Sequence, residues 1–273
     1  MIPEAGSFHI TAQDRGLIEK AETKPWGFAE LQRKIDFVYS DHNERCGYTP
    51  DTILGKLTGN ATNLRQFARR EKGVELMDKA LTIVFAWTIS YANEAGVDIQ
   101  KTMSEKFGKG CPHCFQMPCV LAKGQECVPP EIDPRPFRDV PVPETLSEWQ
   151  SHLKELYSVN FKDNEFSDKK AKEVRLKIVE EAGELSAASY DDVQKLQSLA
   201  SFNDGMDPVE SELADVVAWS FALANGLDIL YEGYSLEDSM REKYGSGCPS
   251  CGQPQCVCPK ATTVISQMKE RSN

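Results

Sequence analysis

The second half of this chain repeats the first, and the repeat limits the folds that the chain can adopt. Three pairs of segments match: SEKFGKGCPHC with REKYGSGCPSC, AWTISYANEAGVDI (86–99) with AWSFALANGLDI (218–229), and KLTGNATNL with KIVEEAGEL. Because the segments recur in the same order, the sequence predicts two copies of one structural unit, each ending in a cysteine-rich segment. Any function assigned to the chain therefore has to account for both copies.

Each copy has the apolar spacing of four α-helices. Apolar residues recur every three to four positions in the first copy, over segments at about 28–38, 50–64, 74–95 and 99–107. The second copy repeats this order at about 146–157, 168–189 and 208–226, followed by a short segment that ends at Tyr244. Gly226 stands where a glycine commonly stops a helix. The pattern predicts an all-α protein made of two four-helix units.

A proline-rich stretch separates the two copies. Six prolines lie between residues 129 and 143. Proline removes backbone N–H donors and favours extended chain, so this stretch is predicted to be a stiff linker. The predicted divisions are an N-terminal arm over 1–24, a first copy over 25–128, the linker over 129–143, a second copy over 144–260 and a C-terminal tail over 261–273.

The second copy carries two pairs of carboxylates with identical spacing. Glu181 and Glu184 are three positions apart, and so are Glu212 and Asp215. Residues three apart lie on one face of a helix, so two packed helices can bring both pairs together. Four clustered carboxylates repel one another unless a cation lies between them. Oxygen ligands without His or Cys favour Mg²⁺ or Mn²⁺ over zinc.

Charged residues on helices usually belong to a solvated face, and this is the simpler interpretation of either pair alone. Both pairs, however, are embedded in apolar residues such as Ile178, Leu185 and Val216. Helices of this composition are mostly buried, which brings their acids close to the buried side. A shared metal site is therefore our preferred interpretation.

The repeat also predicts which copy holds the metal. The alignment places Asn60, Asn63, Ala80 and Ile83 at the four acidic positions of the second copy. Neutral amides and alkyl groups cannot offset the charge of a divalent cation, so the first copy is predicted to hold no catalytic metal. It keeps the apolar residues and the cysteines, which indicates a scaffold that pairs with the second copy.

The order EExxE followed by ExxD resembles the metal motif of the MazG-like, all-α nucleoside triphosphate pyrophosphohydrolases, over residues 146–244. The resemblance implies two fused MazG-like four-helix units that form a pseudo-dimer within one chain. Since that family forms homo-oligomers, it also allows a further dimer of chains. The implied reaction is hydrolysis of a nucleoside or deoxynucleoside triphosphate to monophosphate and pyrophosphate, with a metal-activated water as the nucleophile.

Under this resemblance, several residues near the motif become candidates for contacts with the substrate. Glu180 would orient the attacking water or bind a further metal, unless it is only a solvated neighbour of the metal ligands. Basic residues have to contact the phosphates, and the candidates are Lys177, Arg241 and Lys243.

Trp219 is a candidate for stacking on the nucleotide base, because it lies four residues after Asp215 on the metal side of its helix. Its counterpart in the first copy is Trp87, which persists where the acids are absent. Packing in the core therefore explains both tryptophans more simply than base recognition does.

Four cysteines near the C terminus, Cys248, Cys251, Cys256 and Cys258, have the spacing Cys-x2-Cys-x4-Cys-x-Cys within a segment rich in glycine and proline. Four thiolates on such a segment fit a closed, structural zinc site that orders a chain with little core of its own. The alternative is a redox pair or free thiols. A redox Cys-x2-Cys, however, usually opens a helix in a βαβ setting that this sequence lacks.

The first copy matches this cluster only in part. Three cysteines align, and Leu121 stands at the position of the fourth. His113 or Cys127 is the candidate for the missing ligand of a second zinc site. The aligned cysteines are Cys111, Cys114 and Cys119.

Charge and composition exclude some partners. A net charge of −11 repels polyanions, and no basic stripe is present, so we expect no long nucleic acid as a partner. No apolar run approaches the roughly 20 residues that span a bilayer, and the first residues lack the features of a signal peptide. Most of the nine cysteines fall in the two clusters, which favours metal binding in a reducing compartment. A soluble, cytoplasmic protein is expected.

Two other functions fit the same residues. A phosphoribosyl-ATP pyrophosphohydrolase would share the metal site and differ only in its substrate. A zinc-stabilised module that senses nucleotides without turnover would explain why one copy has lost its acids. Against that module, a protein that no longer binds the metal has no physical reason to keep four acids together.

Overall fold

The structure is a computed structural model of the chain, and it describes residues 24–67, 73–119, 141–158, 166–190 and 206–259. Within these ranges it contains eight α-helices and no β-strand, which confirms the all-α prediction. Most of the predicted arm, linker and C-terminal tail lies outside the described residues. The helices are α1 Phe28–Cys46, α2 Pro50–Phe67, α3 Gly73–Ala95, α4 Ile99–Phe107, α5 Leu146–Leu156, α6 Asp168–Ala188, α7 Pro208–Leu230 and α8 Leu236–Tyr244.

Four of these helices, two from each copy, pack as one bundle. Helix α2 packs on α3 and α6 packs on α7, while α2 also contacts α6 and α3 contacts α7. Aromatic rings fill the space between the copies: the Phe85 and Phe221 centroids lie 5.7 Å apart, and Phe28 lies 6.1 Å from Phe221. Edge-to-face contacts of this kind add about 0.5–1.5 kcal/mol to the burial of the rings. The two copies therefore share one hydrophobic core.

A repeated set of hydrogen bonds fixes the first helix of each copy. The Gln32 amide of α1 bonds to Asn93 of α3, and its Oε1 accepts from the Ile99 N–H that opens α4. In α5, Gln150 accepts from the N–H that opens α8, and its carbonyl accepts from Asn225 of α7. The repeat seen in the letters is thus also present in the contacts.

The short last helix of each copy lies against the other copy. Helix α4 packs on α7, and α8 packs on α3. Lys106 of α4 donates to the Ser211 carbonyl at 3.0 Å, while Lys243, at the aligned position of α8, donates to the Lys79 carbonyl at 2.9 Å. Since Ser211 and Lys79 are themselves aligned, this exchange is reciprocal. It carries one side chain of each copy into the bundle of the other.

Helix α7 is the most apolar of the described helices and does not end where the sequence indicated. Its length and composition would allow it to cross a membrane, but most of it is buried among the other helices, as in the core helix of a soluble protein. It begins at Pro208 behind the Asp207 cap, as expected, and continues past Gly226 to Leu230. A Cβ at Gly226 would lie 2.3 Å from the ring of Phe166. This glycine therefore makes room for an aromatic ring and is not a helix stop.

Candidate metal centre

Two helices of the bundle, α6 and α7, bring the predicted carboxylates together. Helix α6 starts at the Ser167 cap and α7 at the Asp207 cap, and each presents one acidic face to the other. One oxygen each from Glu181, Glu212 and Asp215 lies within 4.8 Å of the other two. Three of the four predicted ligands therefore converge on a single point.

The fourth carboxylate lies at the edge of this group. Glu184 is exposed, and it shares a hydrogen bond with the carboxyl of Glu212. It is joined to the cluster through that contact. Its position leaves it open to solvent.

Burial and mutual repulsion make the cluster hold protons more tightly than ordinary acids do. Glu181 is 8% exposed, and burial, followed by the charges of Asp215 and Glu184, raises its pKa to about 8. Burial and the charge of Asp215 likewise raise the pKa of Glu212 to about 7. An opposing charge favours the ionised forms, so these groups are suited to a cation.

The donor set fits a hard divalent cation. All three converging groups offer carboxylate oxygens, which suit Mg²⁺ or Mn²⁺. Opposite ligands of an octahedral Mg²⁺ are about 4 Å apart. The oxygens of the cluster lie within 4.8 Å of one another, so the cluster is close to the required size.

A lysine from the first copy completes the charge pattern. The Nζ of Lys106 lies 2.6 Å from Oδ2 of Asp215 and 2.7 Å from Oγ of Ser211. The Lys106 side chain is only 8% exposed. Lys106 belongs to the first copy, so the first copy supplies a buried cation to the acids of α7.

Sequence reasoning missed Lys106 although the alignment contained a signal. The matched segments SEKFG and REKYG keep a lysine at the same place in both copies. The sequence names Lys243, the equivalent lysine of the second copy, as a candidate phosphate contact. Which lysine reaches the acids depends on the crossing of α4 and α8, which is set by how the helices pack and not by local sequence.

Two further candidates, Arg241 and Lys243, point toward the first copy. The Arg241 guanidinium pairs with Glu237 at 3.0 Å and stacks over the Trp26 ring at 5.0 Å. The Nζ of Lys243 donates to Oγ1 of Thr82 at 2.6 Å, and burial lowers the pKa of Lys243 to about 8. Neither belongs to the carboxylate group, and their role as phosphate contacts stays a prediction.

The candidates beside the motif on α6 pair with each other. Lys177 Nζ lies 2.7 Å from Glu180 Oε1, and both side chains are roughly half exposed. Glu180 is outside the converging group, at the next position along the helix from Glu181. Its role in orienting water therefore stays a prediction, as does phosphate binding by Lys177.

Trp219 and its counterpart Trp87 have the same environment. Both are partly buried and pack against the shared core. The structure thus gives Trp219 the packing role that Trp87 also has. Base stacking by its exposed part stays a prediction.

The equivalent point in the first copy has no acidic group. The Asn60 amide donates to the Lys56 carbonyl of its own helix at 2.7 Å, and Ala80 is 5% exposed. Among the described residues of the first copy, cysteines form the one group able to hold a metal. That the first copy lacks the catalytic ion stays a prediction.

Both cysteine clusters are compact enough to hold zinc. The four thiols of the second cluster lie within 4.8 Å of one another, and Sγ of Cys248 is 4.0 Å from Sγ of Cys258. In the first cluster, Sγ of Cys114 is 3.7 Å from Sγ of Cys119. Sulfur atoms around a tetrahedral zinc ion are about 3.8 Å apart. The described cysteines form no disulfide.

The two clusters have the same backbone turn. Gly110 and Gly247 have φ of 131° and 130°, and a Cβ at Gly247 would lie 2.3 Å from the Gln253 carbonyl oxygen. Phe115 and Gly252 stand at aligned positions and both have left-handed φ, 54° and 69°. The turn that gathers the thiols is therefore common to both copies.

The fourth ligand of the first cluster is not among the described residues. His113 is exposed and does not join the three thiols. Cys127 lies outside the described ranges. The described part of this site is a set of three thiols.

Comparison with known proteins adds no assignment. No protein-family model, no curated protein and no solved structure matches this chain. What the chain does must accordingly be argued from its own residues and from the motif on α6 and α7.

Proposed function

We propose that this protein hydrolyses a nucleoside or deoxynucleoside triphosphate to monophosphate and pyrophosphate with the help of Mg²⁺. The observation that carries the proposal is the convergence of Glu181, Glu212 and Asp215 beside Lys106. Acids that hold a divalent cation, next to a cation that can pair with phosphate, match the needs of a triphosphate substrate. The resemblance of the motif to MazG-like enzymes supports the choice of reaction.

The two copies would act as an internal pseudo-dimer with one working site. The second copy supplies the acids, and the first supplies Lys106 together with half of the shared core. The reciprocal packing of α4 and α8 supports this arrangement. Loss of the acids from the first copy is then no loss of function, because that copy still contributes to the site of the second.

Each residue of the site has a chemical role in this proposal. Glu181, Glu212 and Asp215 would hold the ion, and Glu184 would stand at the solvent side. Bound Mg²⁺ would supply charge neutralisation and a water of lowered pKa. Lys106 is positioned to exchange its contact with Asp215 for a phosphate oxygen. Glu180, exposed beside the ligands, would take a proton from the attacking water.

Electrostatics favours a metal-binding enzyme over an interaction module without metal. Burying several carboxylates together is destabilising unless they are protonated or paired with a cation. The raised pKa of Glu181 reflects this strain. A module that had no use for a metal would gain stability from the neutral residues found at the same positions of the first copy.

The test is a turnover assay on the full chain. Pyrophosphate release would be measured with Mg²⁺ or Mn²⁺ over a panel of NTPs, dNTPs and phosphoribosyl-ATP. We expect metal-dependent release from at least one of them and its loss in Asp215→Asn. Asn63→Gln, at an exposed position of the first copy aligned with Glu184, is the matched control and should keep full activity.

The outcomes separate the competing functions. Turnover of phosphoribosyl-ATP alone would favour the alternative hydrolase. Metal-dependent nucleotide binding without release of pyrophosphate would favour the sensing module. Unchanged turnover in Asp215→Asn would show that the carboxylate cluster is not the site.

A further inference from the structure

The second cysteine cluster is docked on the first copy of the chain. The N–H of Cys256 donates to the Val38 carbonyl of α1 at 2.8 Å. Val38 is buried against the cluster, in a small apolar group that also contains Cys248. The cluster thus contacts a helix that lies about 200 residues earlier in the sequence.

An arginine of the same helix braces this contact. Arg45 donates from Nη2 to the carbonyls of Cys256 and Cys258, at 3.0 and 3.4 Å. Four thiolates around Zn²⁺ leave the site with excess negative charge, which a neighbouring guanidinium offsets. The first copy therefore supplies both a backbone acceptor and a charge to the cluster of the second.

The first cluster makes the reciprocal contact. The N–H of Cys119 donates to the Leu156 carbonyl of α5 at 2.7 Å. Cys119 aligns with Cys256, and both accepting carbonyls belong to the first helix of the opposite copy. Each cysteine loop therefore docks on the first helix of the opposite copy through the same backbone contact.

We propose that the second cluster is a zinc site that fastens the C-terminal segment of the second copy to α1 of the first, so that zinc holds the two copies together at this end. The cysteine loop consists of turns, with little apolar side-chain area of its own to bury. Such a segment depends on bound metal for a fixed conformation. Without zinc the loop loses the shape that aligns Cys256 with Val38. This inference does not depend on the proposed hydrolase activity.

The experiment measures zinc content and hydrogen exchange in the full chain. Cys251→Ser should remove about one zinc ion per chain. It should also raise amide exchange in the last two turns of α1, up to Cys46, by about tenfold or more, because exchange there reports local opening. Ser250→Ala, at an exposed position in the same loop that offers no thiol, is the matched control and should change neither quantity.

A second variant separates docking from metal binding. The Arg45→Met variant should keep its zinc, because the four thiols are unchanged. It should still raise amide exchange in α1 by about threefold, because the hydrogen bonds from Arg45 to the cysteine loop are lost. If Cys251→Ser does not fold, zinc is stripped from the wild-type chain with a chelator and the same amides are followed. Wild-type protein without zinc at these thiols would overturn the proposal. So would loss of zinc that loosens the cysteine loop and leaves α1 as protected as before.

Discussion

The two copies have nearly the same contacts but different residues at one point of the bundle. At that point the second copy has Glu181 and Asp215, and the first has Asn60 and Ile83. Lysines, by contrast, are kept on both sides: Lys106 pairs with an acid at 2.6 Å, while Lys243 meets a threonine hydroxyl. The difference teaches that packing and chemistry are separable here. The copy without the acids still supplies part of the shared core and places Lys106 beside Asp215 of the other copy.

The largest effect is expected from neutralising an acid of the second copy. A substitution at the aligned position of the first copy, which is already neutral, serves as its control. Glu181→Gln keeps the shape of the side chain and removes a charge that would hold the cation. We expect a loss of turnover of about 100-fold or more, since a bound metal ion lowers the activation barrier by several kcal/mol. Asn60→Ala, at the aligned position, should retain activity within about twofold.

Pyrophosphate release by the purified variants checks this prediction, and circular dichroism verifies that each has kept its helices. Equal losses in the two variants would mean that turnover does not depend specifically on the acids of the second copy.

Exchange of the two lysines for methionine tests the contribution that each copy makes to the other. Lys106→Met removes the cation beside Asp215, and turnover should fall by about 100-fold, as for other preorganised charges near a phosphate. Lys243 contacts Lys79 and Thr82 of the copy without acids, so Lys243→Met tests its candidacy as a phosphate contact, and from these contacts we expect kcat/KM to stay within about twofold. Steady-state kinetics with the substrate identified in the panel measures both. A larger loss in Lys243→Met would reverse the assignment of the working site.

Gly226 offers a comparison of stability. A methyl group there would meet the ring of Phe166, whereas the aligned Glu94 of the first copy is exposed. Gly226→Ala should destabilise the protein by about 1–3 kcal/mol, because a buried ring has to move. Glu94→Ala should change the free energy of unfolding by less than about 0.5 kcal/mol. Thermal unfolding of both variants measures the difference. A neutral Gly226→Ala would indicate that Phe166 can move away freely.

The last comparison concerns pH in the protein without Mg²⁺. Folding raises the pKa of Glu181 to about 8 and that of Glu212 to about 7, from ordinary values near 4.5. The folded state therefore binds more protons than the unfolded state between about pH 4.5 and pH 8, and stability should fall as pH rises through this window. Mg²⁺ should flatten the dependence, since it stabilises the ionised acids.

Urea unfolding at several pH values, with no divalent metal added or with Mg²⁺, measures this slope; a chelator is avoided because it would also remove zinc from the cysteine clusters. Glu181→Gln without Mg²⁺ is the control, and it should have a shallower slope than the parent. A parent whose stability rises with pH across the window would contradict the electrostatic account of the cluster.

Much of the fold could be predicted because it is encoded locally. The helical periods and the Asp207 cap are each set within a few residues, and the structure has them where the sequence placed them. Three of the four paired acids also converge. What could not be predicted depends on contacts between distant segments. Gly226 looks like a helix stop until the ring of Phe166 is in place, and the partner of Lys106 is known only once α4 has crossed to the other copy.

The crossing of α4 and α8 has a consequence for how the protein could be divided. Each half carries a short helix that packs against the other half, so neither half has its full set of contacts alone. The peptide linking them then serves to raise the effective concentration of one half near the other. Two separately produced halves, cut within the linker, should therefore reassemble by fragment complementation. We expect the half that carries Glu181 and Asp215 to stay inactive until the other half supplies Lys106.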